Sequence, residues 1–392
     1  MKSSRWVCPA CSCLCDGLEL AKDASNLQVV PDCSKANRWL ADRQQTALLP
    51  AETEVVDKVR SGLASAKAPL ITGIANLHVA AQQSCVKLAE KYSALLDVEV
   101  NHRGSFAIEG LQRYGKVTAT FGEIANRADV VLIWCCDPAK SHPRFFERFL
   151  RDPSKPTKRI VVVDHARNGT SELADEFVEV ADVEALVRQL RECAAGGCET
   201  KVDSTATGIF SQLIAAKYGT VILGGDCSRL ATDAWYQLVD RLNDHTRFVM
   251  ASLGNDRNGG GAEQVLGALC GFPHAIRFAG GRPMFNGSEY ASGIVLDRHE
   301  CDFLLVCDAG DDVPFETRLS KNQLDFLASM PVAVLSGFPR EKYRTIDHHL
   351  PVAISGWNCG GDFFRGDDIP IPLIPIETGE LPEPRQLIEA LY

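Results

Sequence analysis

Short runs of β-branched residues alternate with helical segments along most of the chain, and this alternation restricts the fold more than any other feature. Most of the runs have a continuous apolar centre, whereas a strand with one face in water alternates apolar and polar residues. They occupy residues 69–73, 96–100, 129–134, 159–164, 220–224, 247–250, 303–308, 332–335 and 351–354. Such runs predict an α/β fold with doubly wound, mostly parallel sheets in two Rossmann-like domains, and with ligand-binding loops at the C-terminal ends of the strands.

Changes of pattern along the chain predict four segments. They are a small cysteine-rich module at 1–48, a first α/β domain at 49–200, a second α/β domain at 201–375 and a C-terminal tail at 376–392. Within the module, 18–20 and 27–30 alternate as the two strands of a hairpin do. Proline alternates with aliphatic residues in 369–376, which predicts an edge strand or an extended arm, because proline cannot donate to a β-ladder.

The net charge and the length of the apolar runs argue against nucleic-acid and membrane partners. The formal net charge is −10 over 392 residues, and an acidic surface repels nucleic-acid backbones and anionic membranes. Residues 1–6 lack the apolar stretch of a signal peptide, and the longest apolar runs are too short to span a bilayer. We therefore expect a cytoplasmic protein without nucleic-acid or membrane partners.

A cluster of cysteines opens the chain. Cys8, Cys11 and Cys15 lie within eight residues, and Cys33 follows at a distance. Four thiolates in this arrangement suit a [4Fe-4S] cluster or a zinc ion. The spacing favours the iron-sulfur cluster over the two separated CxxC pairs of a zinc ribbon. The alternative is a loop of reduced thiols that holds no metal.

Several segments resemble a known family along essentially the whole chain. The run VCPACSCLCDGLEL at 7–20, the run GEIANRAD at 122–129 and the run SHPR at 141–144 carry the resemblance, as does GDFFRGDDIPIPL at 361–373. They resemble the B subunit of formylmethanofuran dehydrogenase, which belongs to the molybdopterin oxidoreductases. The resemblance implies a [4Fe-4S] cluster beside a tungsten or molybdenum centre held by two pterin guanine dinucleotides.

Position 101 departs from that family. The active subunit places a cysteine or selenocysteine before a histidine to bind the metal, and here Asn101 precedes His102. A neutral amide is a poor ligand for tungsten or molybdenum. The molybdenum or tungsten bis-pterin centre is therefore expected to be absent. His102 is either an active-site acid or base or a surviving structural histidine.

Four further residues are candidates for cofactor binding. Asp164 ends a predicted strand, where it could accept a hydrogen bond from a ribose or guanine or could cap the following turn. Arg144 could bind a pyrophosphate or carboxylate through its planar fork, or could pair with Asp137. Gly224 and Gly225 could cradle a nucleotide, although such a turn is common in any doubly wound domain.

The resemblance implies a non-redox, scaffolding subunit of the bacterial formyltransferase/hydrolase complex, which acts in tetrahydromethanopterin-linked one-carbon metabolism. The implied partners are an amidohydrolase-like, a β-helix-like and a formyltransferase-like subunit. Two alternatives remain open at this point. The chain could be an active dehydrogenase subunit with a molybdenum or tungsten bis-pterin centre, or it could bind a nucleotide or pterin without turnover.

Overall fold

The computed structural model describes residues 6–23, 26–43, 48–102, 107–196, 203–224, 227–253, 257–310 and 313–392. The strands in chain order are β1 Glu19–Asp23, β2 Asn26–Val30, β3 Pro69–Thr72, β4 Leu95–Leu96, β5 Val130–Trp134, β6 Arg159–Asp164, β7 Glu176–Glu179, β8 Tyr218–Leu223, β9 Arg247–Ser252, β10 Ile276–Ala279, β11 Arg282–Phe285, β12 Phe303–Asp308, β13 Val332–Ser336, β14 His348–Pro351, β15 Gly361–Phe364 and β16 Pro370–Leu373.

The α-helices in chain order are α1 Ser34–Ala41, α2 Thr53–Ser65, α3 Val79–Lys91, α4 Ala107–Tyr114, α5 Phe121–Arg127, α6 Pro138–Ser141, α7 Gly169–Glu172, α8 Val183–Ala194, α9 Ser204–Ala215, α10 Arg229–Leu242, α11 Gly259–Cys270, α12 Ser292–Asp297, α13 Lys321–Leu327 and α14 Pro384–Ala390. Short 3-10 turns occur at Ile74–Asn76, Phe315–Arg318 and Arg340–Lys342, and a π-helical turn at Phe146–Leu150. Within the described part of the chain, no helix is both long and apolar enough to cross a bilayer.

Side-chain caps set the beginnings of several helices. Thr120, Asp182 and Ser228 precede α5, α8 and α10, and each side-chain oxygen accepts a hydrogen bond from a backbone N–H in the first turn. These N–H groups have no partner inside the helix, so the caps stabilise the helix at that residue.

The chain divides into two compact units. Unit 1 comprises Met1–Ser105, Asp256–Arg365 and Pro370–Tyr392, and unit 2 comprises Phe106–Asn255 and Gly366–Ile369. This division differs from the predicted consecutive domains at 49–200 and 201–375. The physical reason is a parallel ladder that pairs Leu70 of β3 with Leu304 of β12, so strands from both ends of the chain form one sheet.

Unit 1 is built on a mixed sheet. Its described strands follow the order β11-β10-β4-β3-β12-β13-β14. The five strands from β4 to β14 in this order run parallel, and β10 and β11 join antiparallel at one edge. Every residue of β12 is buried, as expected for the centre of a sheet that is covered on both faces.

Unit 2 has a parallel sheet whose described strands follow the order β7-β6-β5-β8-β9. The chain starts in the middle with β5, moves outward to β7, and returns to the other side of β5 with β8. Ligands of doubly wound folds bind where the strand order reverses, which here lies at the C-terminal ends of β5 and β8. The predicted α/β fold with mostly parallel sheets is confirmed.

Two small hairpins complete unit 1. β1 and β2 pair antiparallel with Leu20 opposite Val29, which confirms the predicted hairpin of the cysteine-rich module. β15 and β16 pair antiparallel with Phe363 opposite Ile371. The proline-rich segment therefore contributes an edge strand, as one of its two predicted forms.

Two predicted strands are wrong in extent. The strand predicted at 96–100 ends at Leu96, because the backbone N–H of Val98 donates to the Asp97 carboxylate at 2.9 Å and not to a neighbouring strand. The strand predicted at 351–354 ends at Pro351. Beyond it, Ala353 donates to the carbonyl of Pro382 and so leaves the ladder.

Candidate functional site

The N-terminal cysteines lie in a closed loop of unit 1. The backbone N–H of Cys8 donates to the carbonyl of Cys15 at 3.0 Å, which brings the two ends of the loop together. Leu14 takes a left-handed conformation with φ 38° and donates to the carbonyl of Cys11. Cys33 lies at the N-cap of α1, after the hairpin of β1 and β2. Cys8, Cys11, Cys13, Cys15 and Cys33 are all buried.

The thiols of this loop act on one another. Burial, followed by the neighbouring Cys11, raises the pKa of Cys8 well above its ordinary value. A side-chain hydrogen bond with Cys13 lowers the pKa of Cys11, and the same bond together with one to Cys15 raises the pKa of Cys13. Burial raises the pKa of Cys33. Within this pair Cys13 is thus the donor, and its hydrogen bond favours the thiolate form of Cys11.

This donor set fits an iron-sulfur cluster. Several thiolates confined in a buried pocket repel one another, and a cationic cluster or metal removes that repulsion. Cys8, Cys11, Cys15 and Cys33 remain the predicted ligands. Cys13, which the spacing leaves outside that set, lies among them through its thiol hydrogen bonds.

Asn101 has a structural role in unit 1. Its Nδ2 donates to the carbonyl of Arg318 at 2.6 Å, and its Oδ1 accepts from Nε2 of Gln323 at 3.0 Å. The backbone of Asn101 has a φ of 62°, a left-handed conformation that asparagine tolerates better than most residues. Both ends of the amide are thus used within the protein, so position 101 does not fit a metal-thiolate bond.

His102 lies in a buried polar cluster with Asp97 and His274. Its Nδ1 lies 3.0 Å from Oδ1 of Asp97, and its ring meets that of His274 edge-on with centroids 4.8 Å apart. Asp97 and His274 are fully buried, and His102 is 8% exposed. Nε2 of His102 has no hydrogen-bond partner among the described residues.

Asp97 and His102 form a buried ion pair. Burial alone would lower the pKa of His102, but the carboxylate of Asp97, aided by Glu263 and Glu99, raises it to about 9. Burial alone would likewise raise the pKa of Asp97, but the charge and hydrogen bond of His102 lower it to about 2. Each group keeps the other charged over the neutral range.

Asp164, at the end of β6 in unit 2, is occupied by local hydrogen bonds. Its Oδ2 accepts from Nδ2 of Asn168 at 2.9 Å, and its Oδ1 accepts from the backbone N–H of His165 at 2.7 Å. Asn168 in turn caps α7. This geometry favours the turn-capping alternative for Asp164, while its proposed role in cofactor binding stays a prediction.

Arg144 pairs with a residue that the sequence did not indicate. Its Nε donates to Oε1 of Glu147 at 2.7 Å, one turn further along the chain. The alternative pairing with Asp137 is wrong, because the Asp137 carboxylate accepts from the backbone N–H of Thr170 at 3.0 Å and from its hydroxyl at 2.5 Å. Asp137 therefore joins α6 to α7.

Gly224 follows β8 at the point where the strand order of unit 2 reverses. Its N–H donates to the carbonyl of Trp134 in β5, and an added Cβ would lie 2.6 Å from the carbonyl oxygen of Cys135. Only glycine fits this close backbone approach. Gly225, predicted to act with it, lies outside the described residues.

Sequence reasoning missed Asp97, His274 and Gln323. Asp97 was assigned to a strand, and His274 is separated from it by most of unit 2. The feature that brings Asp97 and His274 together is the ladder between β4 and β10, in which Leu96 lies opposite Ile276. Without that register, nothing in the sequence connects the two positions.

No family model matches the chain, but curated proteins do. It is 30% identical over 412 residues to the B subunit of the tungsten-containing formylmethanofuran dehydrogenase 2 of Methanococcus maripaludis, covering 94% of this chain and 92% of that protein. It is 28% identical over 430 residues to the B subunit of the enzyme of the same name from Methanocaldococcus jannaschii, covering 98% of this chain and 96% of that protein.

Solved structures share the fold. The formyltransferase/hydrolase complex FhcABCD from Methylorubrum extorquens, solved with methylofuran, contains a chain that matches with a TM-score of 0.72 and 19% identity, covering 86% of this chain and 94% of that one. Acetylene hydratase from Pelobacter acetylenicus matches with a TM-score of 0.62 and 11% identity, covering 100% of this chain and 68% of that one.

Proposed function

The chain belongs to the family of formylmethanofuran dehydrogenase B subunits, and from this premise we propose that it is a non-redox, scaffolding subunit of a formyltransferase/hydrolase complex. Such a complex would act in tetrahydromethanopterin-linked one-carbon metabolism, in the oxidation of formaldehyde to formate. Its formyl-transfer and hydrolysis steps would belong to other subunits.

The observation that carries this proposal is the hydrogen bonding of Asn101. The resemblance implies that the corresponding residue of the redox enzymes supplies a thiolate or selenolate to tungsten or molybdenum. Here the side chain is a neutral amide that bonds to Arg318 and Gln323. An amide supplies no negative charge to balance a high-valent metal, so the residues present do not fit that centre.

The N-terminal module is compatible with an electron-transfer cluster even in a subunit without redox catalysis. Cys8, Cys11, Cys15 and Cys33 would hold a [4Fe-4S] cluster, which exchanges single electrons when bound. In a scaffolding subunit its contribution would be structural, because metal binding to a loop of thiolates contributes folding free energy.

The proposed partners follow from the solved neighbour. That structure is a multi-subunit complex, and its chain aligns over 94% of its length with this one. We expect the same class of assembly here, with amidohydrolase-like, β-helix-like and formyltransferase-like subunits. The acidic net charge of −10 would favour partners with basic contact surfaces.

Metal and pterin analysis of the native complex tests the proposal. The complex is purified anaerobically through a tag on this chain, and tungsten and molybdenum are measured together with pterin released by denaturation. We expect neither metal at a stoichiometric level and no viologen-linked oxidation of formate. Stoichiometric metal with pterin would overturn the proposal in favour of an active dehydrogenase subunit.

The same sample separates the remaining alternative, a binding module without turnover. The observation that favours it is the close approach of Gly224 to Cys135 at the point where the strand order of unit 2 reverses. Doubly wound folds bind nucleotides at this point of the sheet. Guanine nucleotide or pterin released in stoichiometric amount, without tungsten or molybdenum, would identify this chain as such a module.

A further inference from the structure

We propose that Asp97, His102 and His274 bind a divalent transition-metal ion such as Zn²⁺. Each residue offers one ligand atom, and these atoms all lie within 4.8 Å of one another in the buried part of unit 1. Two imidazoles and one carboxylate form a donor set that first-row metal ions bind well. Its ligands include neither an N-terminal cysteine nor Asn101, which directly precedes His102.

The fold brings the three residues together through one antiparallel ladder. Leu96, the last residue of β4, lies opposite Ile276, the first residue of β10. Asp97 follows Leu96, and His274 precedes Ile276 by two residues, so both lie at the same end of this ladder. His102 then reaches Asp97 because the chain leaves the sheet after Leu96 and turns back.

The separation of the ligand atoms suits a shared ion. Nδ1 of His102 and Oδ1 of Asp97 are 3.0 Å apart. Two ligand atoms that each lie about 2.1 Å from one zinc ion, at an angle slightly above 90°, are separated by about the same distance. A metal ion can therefore replace the proton between these two atoms with little movement of either side chain.

Backbone donors hold the carboxylate in place. Oδ1 of Asp97 accepts from the N–H groups of Val98 and Ala275, and Oδ2 accepts from the N–H of Ser292 at 2.6 Å. Metal ligands are commonly oriented by such outer hydrogen bonds, which raise affinity by fixing the ligand before the ion arrives. Asp97 is thus fixed from three segments of unit 1.

The local field favours a cation. Asp97 is fully buried, and Glu263 of the same unit is 8% exposed. Negative charge in a buried place is costly unless it is neutralised. A divalent ion would take the place of the Nδ1 proton of His102 beside Asp97, because imidazole binds metal in its uncharged form.

Cobalt binding to the full chain tests the proposal. The protein is freed of metal with a chelator and then titrated with Co²⁺ alone. Co²⁺ on thiolates gives an intense charge-transfer band, whereas Co²⁺ on nitrogen and oxygen gives only weaker visible bands. We expect one equivalent of Co²⁺ to bind with the weaker visible bands of nitrogen and oxygen ligands. We also expect the bound cobalt to shift exchangeable imidazole N–H resonances in the proton NMR spectrum.

Substitutions show which residues bind this equivalent of Co²⁺. His274→Gln should remove it, and Asp97→Asn, which keeps the shape of the side chain, should weaken it at least about tenfold. His299→Gln is the matched control, because His299 is an exposed histidine of the same unit and should bind Co²⁺ as the unaltered chain does. Circular dichroism and urea midpoints identify any variant that fails to fold.

Two results would overturn the proposal. One is a cobalt spectrum of the unaltered chain that contains thiolate charge transfer alone. The other is equal Co²⁺ binding by the unaltered chain and by folded His274→Gln. Neither result depends on tungsten, molybdenum or pterin, so the metal site and the proposed function fail separately.

Discussion

Nε2 of Gln323 donates a hydrogen bond to Oδ1 of Asn101 at 3.0 Å, across 222 residues of sequence. The same amino group also donates to Oδ1 of Asp297 at 2.8 Å. Position 101 is therefore part of a hydrogen-bond network that joins the segment after β4 to α12 and α13. Asn101 is held in place by this network.

Asn101→Cys should destabilise the protein. The substitution removes hydrogen bonds to Arg318 and Gln323 and places a less tolerant residue at a φ of 62°. We expect the free energy of unfolding in urea to fall by about 1–2 kcal/mol. Asn322→Cys, at an exposed position in α13, is the control and should change it little. Equal stability of the unaltered chain and Asn101→Cys would contradict the structural role of Asn101.

Asp308 should make stability depend on pH. Burial raises the pKa of this carboxyl to about 7, despite the opposing effects of Arg318 and Arg257. Because the folded pKa lies above that of the unfolded chain, the stabilisation is complete below about pH 4 and is lost as the pH rises through about 7. The loss amounts to at most roughly 4 kcal/mol.

Asp308→Asn tests this dependence. The amide can still accept from the hydroxyl of Tyr343, which lies 3.3 Å from Oδ2 in the present chain. Urea unfolding at pH 5 and pH 8 should show that the variant lacks the loss of stability seen in the unaltered chain. Asp325→Asn, at an exposed position of α13, should keep it. Identical pH dependence in all three proteins would refute a neutral, buried Asp308.

Replacement of single cysteines should distinguish the residues that bind the iron-sulfur cluster from cysteines that only lie beside it. Cys11→Ala should reduce the iron of anaerobically reconstituted protein from about four atoms per chain to nearly none, since a [4Fe-4S] cluster needs four protein ligands. Cys13→Ala should retain most of the iron, because Cys13 bonds to the thiols of Cys11 and Cys15 and lies outside the predicted ligand set. Iron content and absorbance measure both. Loss of iron in Cys13→Ala alone would assign the ligands differently.

Gly224→Ala should destabilise unit 2. The new methyl group would lie 2.6 Å from the carbonyl oxygen of Cys135 and 2.8 Å from Cβ of Cys136, so the turn must shift, at a cost of about 1–3 kcal/mol. Gly208→Ala is the control. Gly208 lies in α9 with no atom within 4 Å of an added Cβ, so the substitution should stabilise the helix by about 0.5–1 kcal/mol. Changes of the same sign in urea unfolding would argue against this account.

Most strands of both sheets could be predicted because their runs have a continuous apolar centre, whereas β7, β10 and β11 were not predicted. The run at 159–164 coincides with β6, and the run at 303–308 coincides with β12. Their ends were harder to predict. The end of β4 at Leu96 depends on Asp97, whose carboxylate binds the N–H groups of Ala275 and Ser292. Such long-range bonds leave no local signal in the sequence.

The candidate site was predicted in part. The spacing of the cysteines predicted four ligands, and the structure buries Cys8, Cys11, Cys15 and Cys33, while the cluster that they would hold stays a prediction. His102 was identified through a motif. The partners of His102 were not, because His274 becomes its neighbour only through the register of β4 and β10. Arg144 pairs with Glu147 and not with Asp137, since local helical geometry brings residues three apart together.

The pairing of β3 with β12 has a consequence for the synthesis of the protein. The two strands are more than two hundred residues apart, and nearly all of unit 2 is encoded between them. A ribosome therefore releases β5 to β9 of unit 2 before β12 exists to pair with β3. We expect unit 2 to fold first. Until β12 is synthesised, the apolar residues of β3 remain exposed, and we expect chaperones to protect them during this time.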